Sequence, residues 1–131
     1  KIDVVRRGLA INKPDVKDGI DVLSKVGGFE IGGLTGVVIG AAANGCAVVI
    51  DGLNTTASAL IADAIHPMCK EYMFASHLSG EPAHIIALNL LNLQPCVDMK
   101  VRLGEAIGAS VVMEMLGCGT KLLNQMSVVK E

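Results

Sequence analysis

Cys46-Ala47-Val48-Val49-Ile50-Asp51-Gly52-Leu53-Asn54-Thr55 is the stretch on which the fold of this chain turns. Its first five residues form an unbroken apolar run, and Val48, Val49 and Ile50 are β-branched. A strand with one wet face alternates polar and apolar side chains. An unbroken run fits a strand of a parallel sheet, covered on both faces. Asp51-Gly52 ends the run as a turn. Thr55, Thr56 and Ser58 then offer N-caps for a helix reaching about Ile65, and Pro67 stops it.

Downstream the unit repeats. Tyr72 to Ala75 reads as a strand, Ser76 to Glu81 as a loop, and Pro82 to Leu91 as a helix with Asn92 near its end. Cys96 to Met99 reads as a third, short strand. Arg102 to Glu105 is a connection, and Ala106 to about Met126 is helical, with a break at Gly117–Gly119. Upstream, Ile2, Val5 and Leu9 sit at near-helical spacing. Pro14 fits the first turn of a second helix that continues through Val16, Ile20 and Leu23 and ends at Gly27-Gly28. A third helix of small residues runs from about Phe29 to Ala43, with Gly45 as its C-terminal cap and glycines that would admit another backbone closely. Strand and helix in alternation specify an α/β fold with a parallel sheet, and the leading helices are expected on one of its faces.

The 131 residues suit one domain or a piece of one, and the start at Lys1 without an initiator Met leads us to expect a fragment. Apolar residues make up 51% of the chain and charged residues 18%, which supplies a core and argues against disorder. With a net charge of −2, no basic stripe and only 2% aromatics, nucleic acid is not an expected partner. The uncharged stretch Ile31 to Ile50 is interrupted by Gly32, Gly33, Gly36, Gly40 and Asn44-Gly45, so it reads as helix, turn and strand rather than a membrane span. Cys46, Cys69, Cys96 and Cys118 are scattered and read as buried free thiols of a reducing, cytoplasmic setting. No signal-peptide pattern is present at the start.

Ligands of open parallel sheets bind beyond the carboxyl ends of the strands. Three loops lie there: Asp51 to Thr55, Ser76 to Glu81, and Arg102 to Glu105. In the first, Gly52 and the helix N-terminus after it suit a phosphate, although an ordinary capped Gly turn fits the residues at least as well. In the second, Ser79 is a candidate phosphate hydroxyl or a plain cap, and His77 with His84 lacks a third ligand at metal-site spacing. In the third, Glu105 is a candidate general base with Leu103, Ala106 and Ile107 around it. An apolar pocket would raise its pKa and a helix N-terminus would lower it, and a Glu that merely complements the helix dipole fits the residues as well. Lys1, alone at the terminus, carries no signal as a residue.

Four stretches taken together change that balance: KIDVVRRGLAINKPDVKDGIDVLSKVGGFEIGGLTGVVIGAA (1–42), VVIDGLNTTASA (48–59), ASHLSGEPAH (75–84) and VRLGEAIGA (101–109). In this order they resemble the second half of the nicotinate-nucleotide:dimethylbenzimidazole phosphoribosyltransferase family. The resemblance implies a Rossmann-like parallel sheet flanked by helices. Residues 1–131 would be the C-terminal part of a single domain whose upstream half is absent. It implies a cytoplasmic homodimer that uses no metal or other cofactor. The implied activity transfers phosphoribosyl from nicotinate mononucleotide to 5,6-dimethylbenzimidazole, giving α-ribazole 5′-phosphate and nicotinate for the lower ligand of cobalamin. Carried onto this chain, Glu105 resembles the base that takes the azole proton, and Leu103 the lining of the benzimidazole pocket. Lys1 would sit near the ribose phosphate, Gly52 and Leu53 resemble the phosphate-binding turn, and Ser79 its hydroxyl.

The chain departs from the family pattern at Leu53 (commonly Phe), Ala83 (commonly Gly) and Ala106-Ile107 (commonly Gly-Ser or Gly-Thr). Ile107 lies beside the base, so another azole or a phenol is an alternative acceptor, and a nucleotide-binding module without turnover is a further alternative. The family's first half, with its glycine-rich loop, is not among these residues. The chain alone is therefore expected to be inactive until that segment is supplied.

Overall fold

A computed structural model describes residues 1–100 and 104–126. Three helices come first: α1 (Ile2–Asn12), α2 (Gly19–Val26) and α3 (Phe29–Ala43). Then strand β1 (Val48–Ile50) leads into α4 (Leu53–Ile65), and a 3₁₀ turn (Pro67–Tyr72) leads into β2 (Met73–Ala75). Helices α5 (Pro82–Leu90) and α6 (Ile107–Gln125) complete the described chain. The result is a small parallel sheet flanked by helices, with Val48, Val49 and Ile50 paired to Met73, Phe74 and Ala75.

Helix α4 is the hub, packed against α2, α3, α5, the 3₁₀ turn and β1. Ala59 and Ala62 on α4 are fully buried and join Val38, Ile50, Cys69, Met73 and Leu91 in the core. Small residues on α4 let its neighbours come close, and a Cβ on Gly19 of α2 would stand 2.7 Å from the Ile61 carbonyl oxygen. Burying a side chain such as Leu91 contributes roughly 1.5–3 kcal/mol, so an aromatic-poor core of this kind depends on many such residues. Thr35 of α3 is buried, with its hydroxyl 2.8 Å from the Ile31 carbonyl and 3.2 Å from that of Ser58, which ties α3 to α4.

Several sequence-based boundaries shift. Helix α2 begins at Gly19 rather than Pro14, because the Asp18 carboxylate accepts the N–H groups of Ile20 and Asp21 and so forms the cap. Helix α4 begins at Leu53, two residues before Thr55, with Gly52 as N-cap. Thr55, Thr56 and Ser58 are not caps: their hydroxyls donate back to the carbonyls of Gly52, Gly52 and Asn54. Helix α6 runs unbroken through Gly117–Gly119. The close approach expected at the α3 glycines is not made, since Gly33, Gly36 and Gly40 face open space among the described residues. Of the four cysteines, which are free thiols, only Cys69 is buried.

The third strand reduces to one parallel bridge, His77 to Val97. The N–H groups of Cys96 and Val97 donate to the carbonyls of Ala75 and Ser76, which places this segment beside the end of β2. It goes no further because Pro95 brings no N–H, residues 98–100 are exposed, and Lys100 turns into the left-handed region at φ 52°. Among the described residues, no helix is long and apolar enough to cross a membrane.

Candidate active site

The ends of β1 and β2 and the turn before α6 surround a cavity of about 590 Å³. Gly52, Leu53, Ser79 and Glu105 all line it, so four of the six sequence-predicted site residues meet in one place. Lys1 is exposed at the head of α1 and is not among the lining residues. Leu103 lies outside the described residues.

The Gly52 turn positions a helix N-terminus at the cavity. The first bond within α4 runs from the Thr56 N–H to the Gly52 carbonyl at 3.0 Å, so the N–H groups of Leu53, Asn54 and Thr55 precede it, and no side chain caps them. Such N–H groups and the helix dipole favour an anion. On the opposite loop, the Ser79 hydroxyl is buried without a hydrogen-bond partner among the described residues. A buried, unsatisfied hydroxyl costs about 1–3 kcal/mol and awaits an acceptor or donor that a ligand can bring.

Glu105 is exposed at the rim of this cavity. It precedes the N-cap residue Ala106, so it stands just outside α6 rather than in its first turn. Glu105 and Ala106 adopt left-handed backbone at φ 66° and φ 62°. Two consecutive non-glycine residues in that region store strain on the order of 1–3 kcal/mol each, and tertiary contacts must hold them.

Those contacts come from the residues that follow β1 and β2. The Asp51 carboxylate accepts the N–H of Ala109, in the first turn of α6, at 3.0 Å. The same carboxylate lies 3.7 Å from His77 Nδ1, which is 3.0 Å from the Ser76 hydroxyl. Gly108 packs on the buried His77 ring so closely that any Cβ there would overlap it. The N-terminus of α6, and with it the Glu105 turn, is thus docked on the carboxyl ends of the strands.

Sequence offers His84 only as one half of a metal pair with His77, and the structure gives it a different task. The two rings meet edge to face at 6.2 Å. His84 Nδ1 accepts the Ser79 N–H at 3.0 Å, and His84 Nε2 lies 3.0 Å from the Thr56 hydroxyl. Burial, reinforced by His77, holds its pKa below the ordinary histidine value, a shift that favours the neutral ring. Asp51, Thr56, His84 and Gly108 are not among the sequence-predicted site residues. Their one legible signal is Asp51, a carboxylate set directly after a buried apolar run.

Compared with known protein families, residues 1–131 match one described as phosphoribosyltransferase. The chain belongs to this family. Among its relatives, the nicotinate-nucleotide–dimethylbenzimidazole phosphoribosyltransferase of Desulforamulus reducens is 48% identical over 131 residues, covering all of this chain and 37% of the relative. That of Geotalea uraniireducens is 49% identical with the same coverage. A crystal structure of the enzyme of that name from Thermus thermophilus superposes with a TM-score of 0.77 at 34% identity, over 84% of this chain and 33% of the other. The chain therefore spans little more than a third of the length of the relatives it matches.

Proposed function

We propose that this chain is the C-terminal part of an enzyme that transfers phosphoribosyl from nicotinate mononucleotide to 5,6-dimethylbenzimidazole, releasing α-ribazole 5′-phosphate and nicotinate. The convergence of the α4 N-terminus, the Ser79 hydroxyl (unpartnered among the described residues) and the Glu105 carboxylate on one cavity carries this assignment. An anion site and a carboxylate in one cavity match the needs of this reaction. The names of the relatives support the same substrates.

In this mechanism the nucleotide phosphate sits at Gly52, Leu53 and Ser79; the family resemblance alone assigns Lys1 to the same phosphate and Leu103, which lies outside the described residues, to the incoming base. One azole nitrogen attacks the anomeric carbon with its lone pair. The bond from that carbon to the pyridinium nitrogen breaks, and its electron pair neutralises the departing nicotinate. Glu105 takes the N–H proton of the other azole nitrogen, so no cationic product accumulates. Holding both substrates in line removes much of the entropic part of the barrier. The enzyme acts in the cytoplasm as a homodimer, and it requires the N-terminal part that its relatives carry. Ile107, exposed two residues from Glu105, motivates a second reading with another acceptor, a different azole or a phenol.

The test joins this chain to the N-terminal part found in its relatives and incubates it with nicotinate mononucleotide and 5,6-dimethylbenzimidazole. Mass spectrometry should show α-ribazole phosphate and nicotinate in equal amounts. Nicotinate without the adduct would redirect the assignment to another acceptor, and binding without any release would reduce it to a nucleotide-binding module.

A further inference from the structure

The Ser79 hydroxyl and the N-terminus of α4 belong to different segments, and a single histidine joins them. His84, in the first turn of α5, is fully buried. Its Nδ1 accepts the Ser79 N–H, so in the neutral ring Nε2 carries the proton and donates to the Thr56 hydroxyl. That hydroxyl in turn donates to the Gly52 carbonyl at 2.9 Å. Donors and acceptors therefore run one way, from the Ser79 loop through His84 and Thr56 to the N-cap of α4.

We propose that His84, as the neutral Nε2–H tautomer, is a positioning residue that sets the spacing between the Ser79 loop and the Gly52 turn, and so governs affinity for the phosphate of a nucleotide. The proposal rests on the transferase assignment only for which nucleotide is bound. Without the imidazole, the Ser79 N–H has no acceptor on α5. The loop is then free to carry the Ser79 hydroxyl away from the α4 N-terminus. Protonation has a related effect, because a hydrogen on Nδ1 would face the Ser79 N–H. The groups around the ring act in both directions. Burial and His77 oppose protonation, whereas Glu81 at the head of α5 and Asp51 at the end of β1 favour it. Thr56 from α4 is uncharged.

The test uses this chain joined to the N-terminal part of its relatives and compares His84→Ala, His84→Asn and Thr56→Val with the parent. Asn presents an amide oxygen near the position of Nδ1 and keeps an acceptor for the Ser79 N–H. The KM for nicotinate mononucleotide should rise on the order of tenfold in His84→Ala, the size of one lost hydrogen bond of about 1.4 kcal/mol, with kcat nearly unchanged. His84→Asn should recover most of that loss, and Thr56→Val should fall between them. Calorimetric binding of nicotinate mononucleotide without acceptor should follow the same order. If the parent binds the nucleotide yet transfers nothing, the transferase assignment fails while the binding series still decides the role of His84. The nucleotide phosphate titrates near pH ~6 in every variant, so the difference between profiles is informative. The parent should lose affinity more steeply in acid than His84→Asn. Parallel profiles, unchanged binding in His84→Ala, or a loss confined to kcat would overturn the proposal. Should His84→Ala fail to fold, His84→Asn and Thr56→Val suffice.

Discussion

Asp51 Oδ1 accepts the backbone N–H of Ala109 at 3.0 Å, a bond across 58 residues that joins the end of β1 to the first turn of α6. The N-cap residue of α6, Ala106, makes no side-chain cap of its own. Asp51 therefore acts as a cap supplied from another element, and it places a negative charge where the helix dipole favours one. Because Glu105 directly precedes that N-cap, the position of the candidate base depends on the residue that follows β1.

Asp51→Ala should cost about 0.5–2 kcal/mol of stability, the usual range for a lost N-cap. It should also lower kcat, since a displaced Glu105 no longer meets the azole proton. Chemical denaturation and steady-state kinetics check the two halves. A variant with unchanged kcat would show that the Glu105 turn is held by other contacts.

Glu105→Gln keeps the shape of the side chain and removes the base. We expect turnover to fall roughly 10²–10⁴-fold, the range for loss of a general base, with nucleotide affinity preserved. Near-normal turnover would remove Glu105 from the mechanism.

Ala106 adopts φ 62°, a conformation in which glycine meets no Cβ penalty. A glycine here would adopt the same turn without that penalty. Ala106→Gly should stabilise the chain, or at least cost nothing, despite the greater freedom of the unfolded state; the balance is within about 1 kcal/mol. Thermal unfolding of the pair measures it, and a clear destabilisation would contradict the left-handed turn.

Ser79→Ala removes a hydroxyl that is buried and unpartnered among the described residues. Stability should hold or rise slightly, because no hydrogen bond is lost. Binding of nicotinate mononucleotide should weaken by about tenfold if the hydroxyl meets the phosphate. Loss of stability with unchanged binding would reverse that role.

The pKa of His84 is lowered in the folded chain from an ordinary value of 6.5, first by burial and then by His77. Between the folded value and 6.5 the unfolded chain binds a proton that the folded chain does not. Stability from this group is thus complete above about pH 6.5 and is lost as pH falls through the folded pKa. Urea unfolding at descending pH should show the stability of the parent declining more than that of His84→Asn. Equal declines would place the acid sensitivity elsewhere.

Much of the fold is legible because periodicity and punctuation report local preference. The apolar run ending at Ile50 became β1, and the glycine-rich segment from Phe29 to Ala43 became α3 within the expected bounds. Helix α2 starts later than Pro14 suggests because Asp18 is the cap, and only the geometry of its carboxylate bonds reveals that. The strand at Cys96 was overestimated because β propensity is local, whereas a ladder also needs donors that Pro95 lacks and a partner beyond His77.

By itself the sequence determined the alternation of strands and helices, and therefore that Gly52, Ser79 and Glu105 would stand on loops at one edge of a parallel sheet. Chain direction and the handed geometry of strand–helix units enforce that much. Only the tertiary structure decided how those loops are held. The Asp51–Ala109 bond, the fit of Gly108 on His77 and the path from Ser79 through His84 to Gly52 join residues far apart in the chain. Hydrogen bonds of this kind exist only where packing removes water and sets donor against acceptor within about 3 Å, and no periodicity in a sequence encodes that distance.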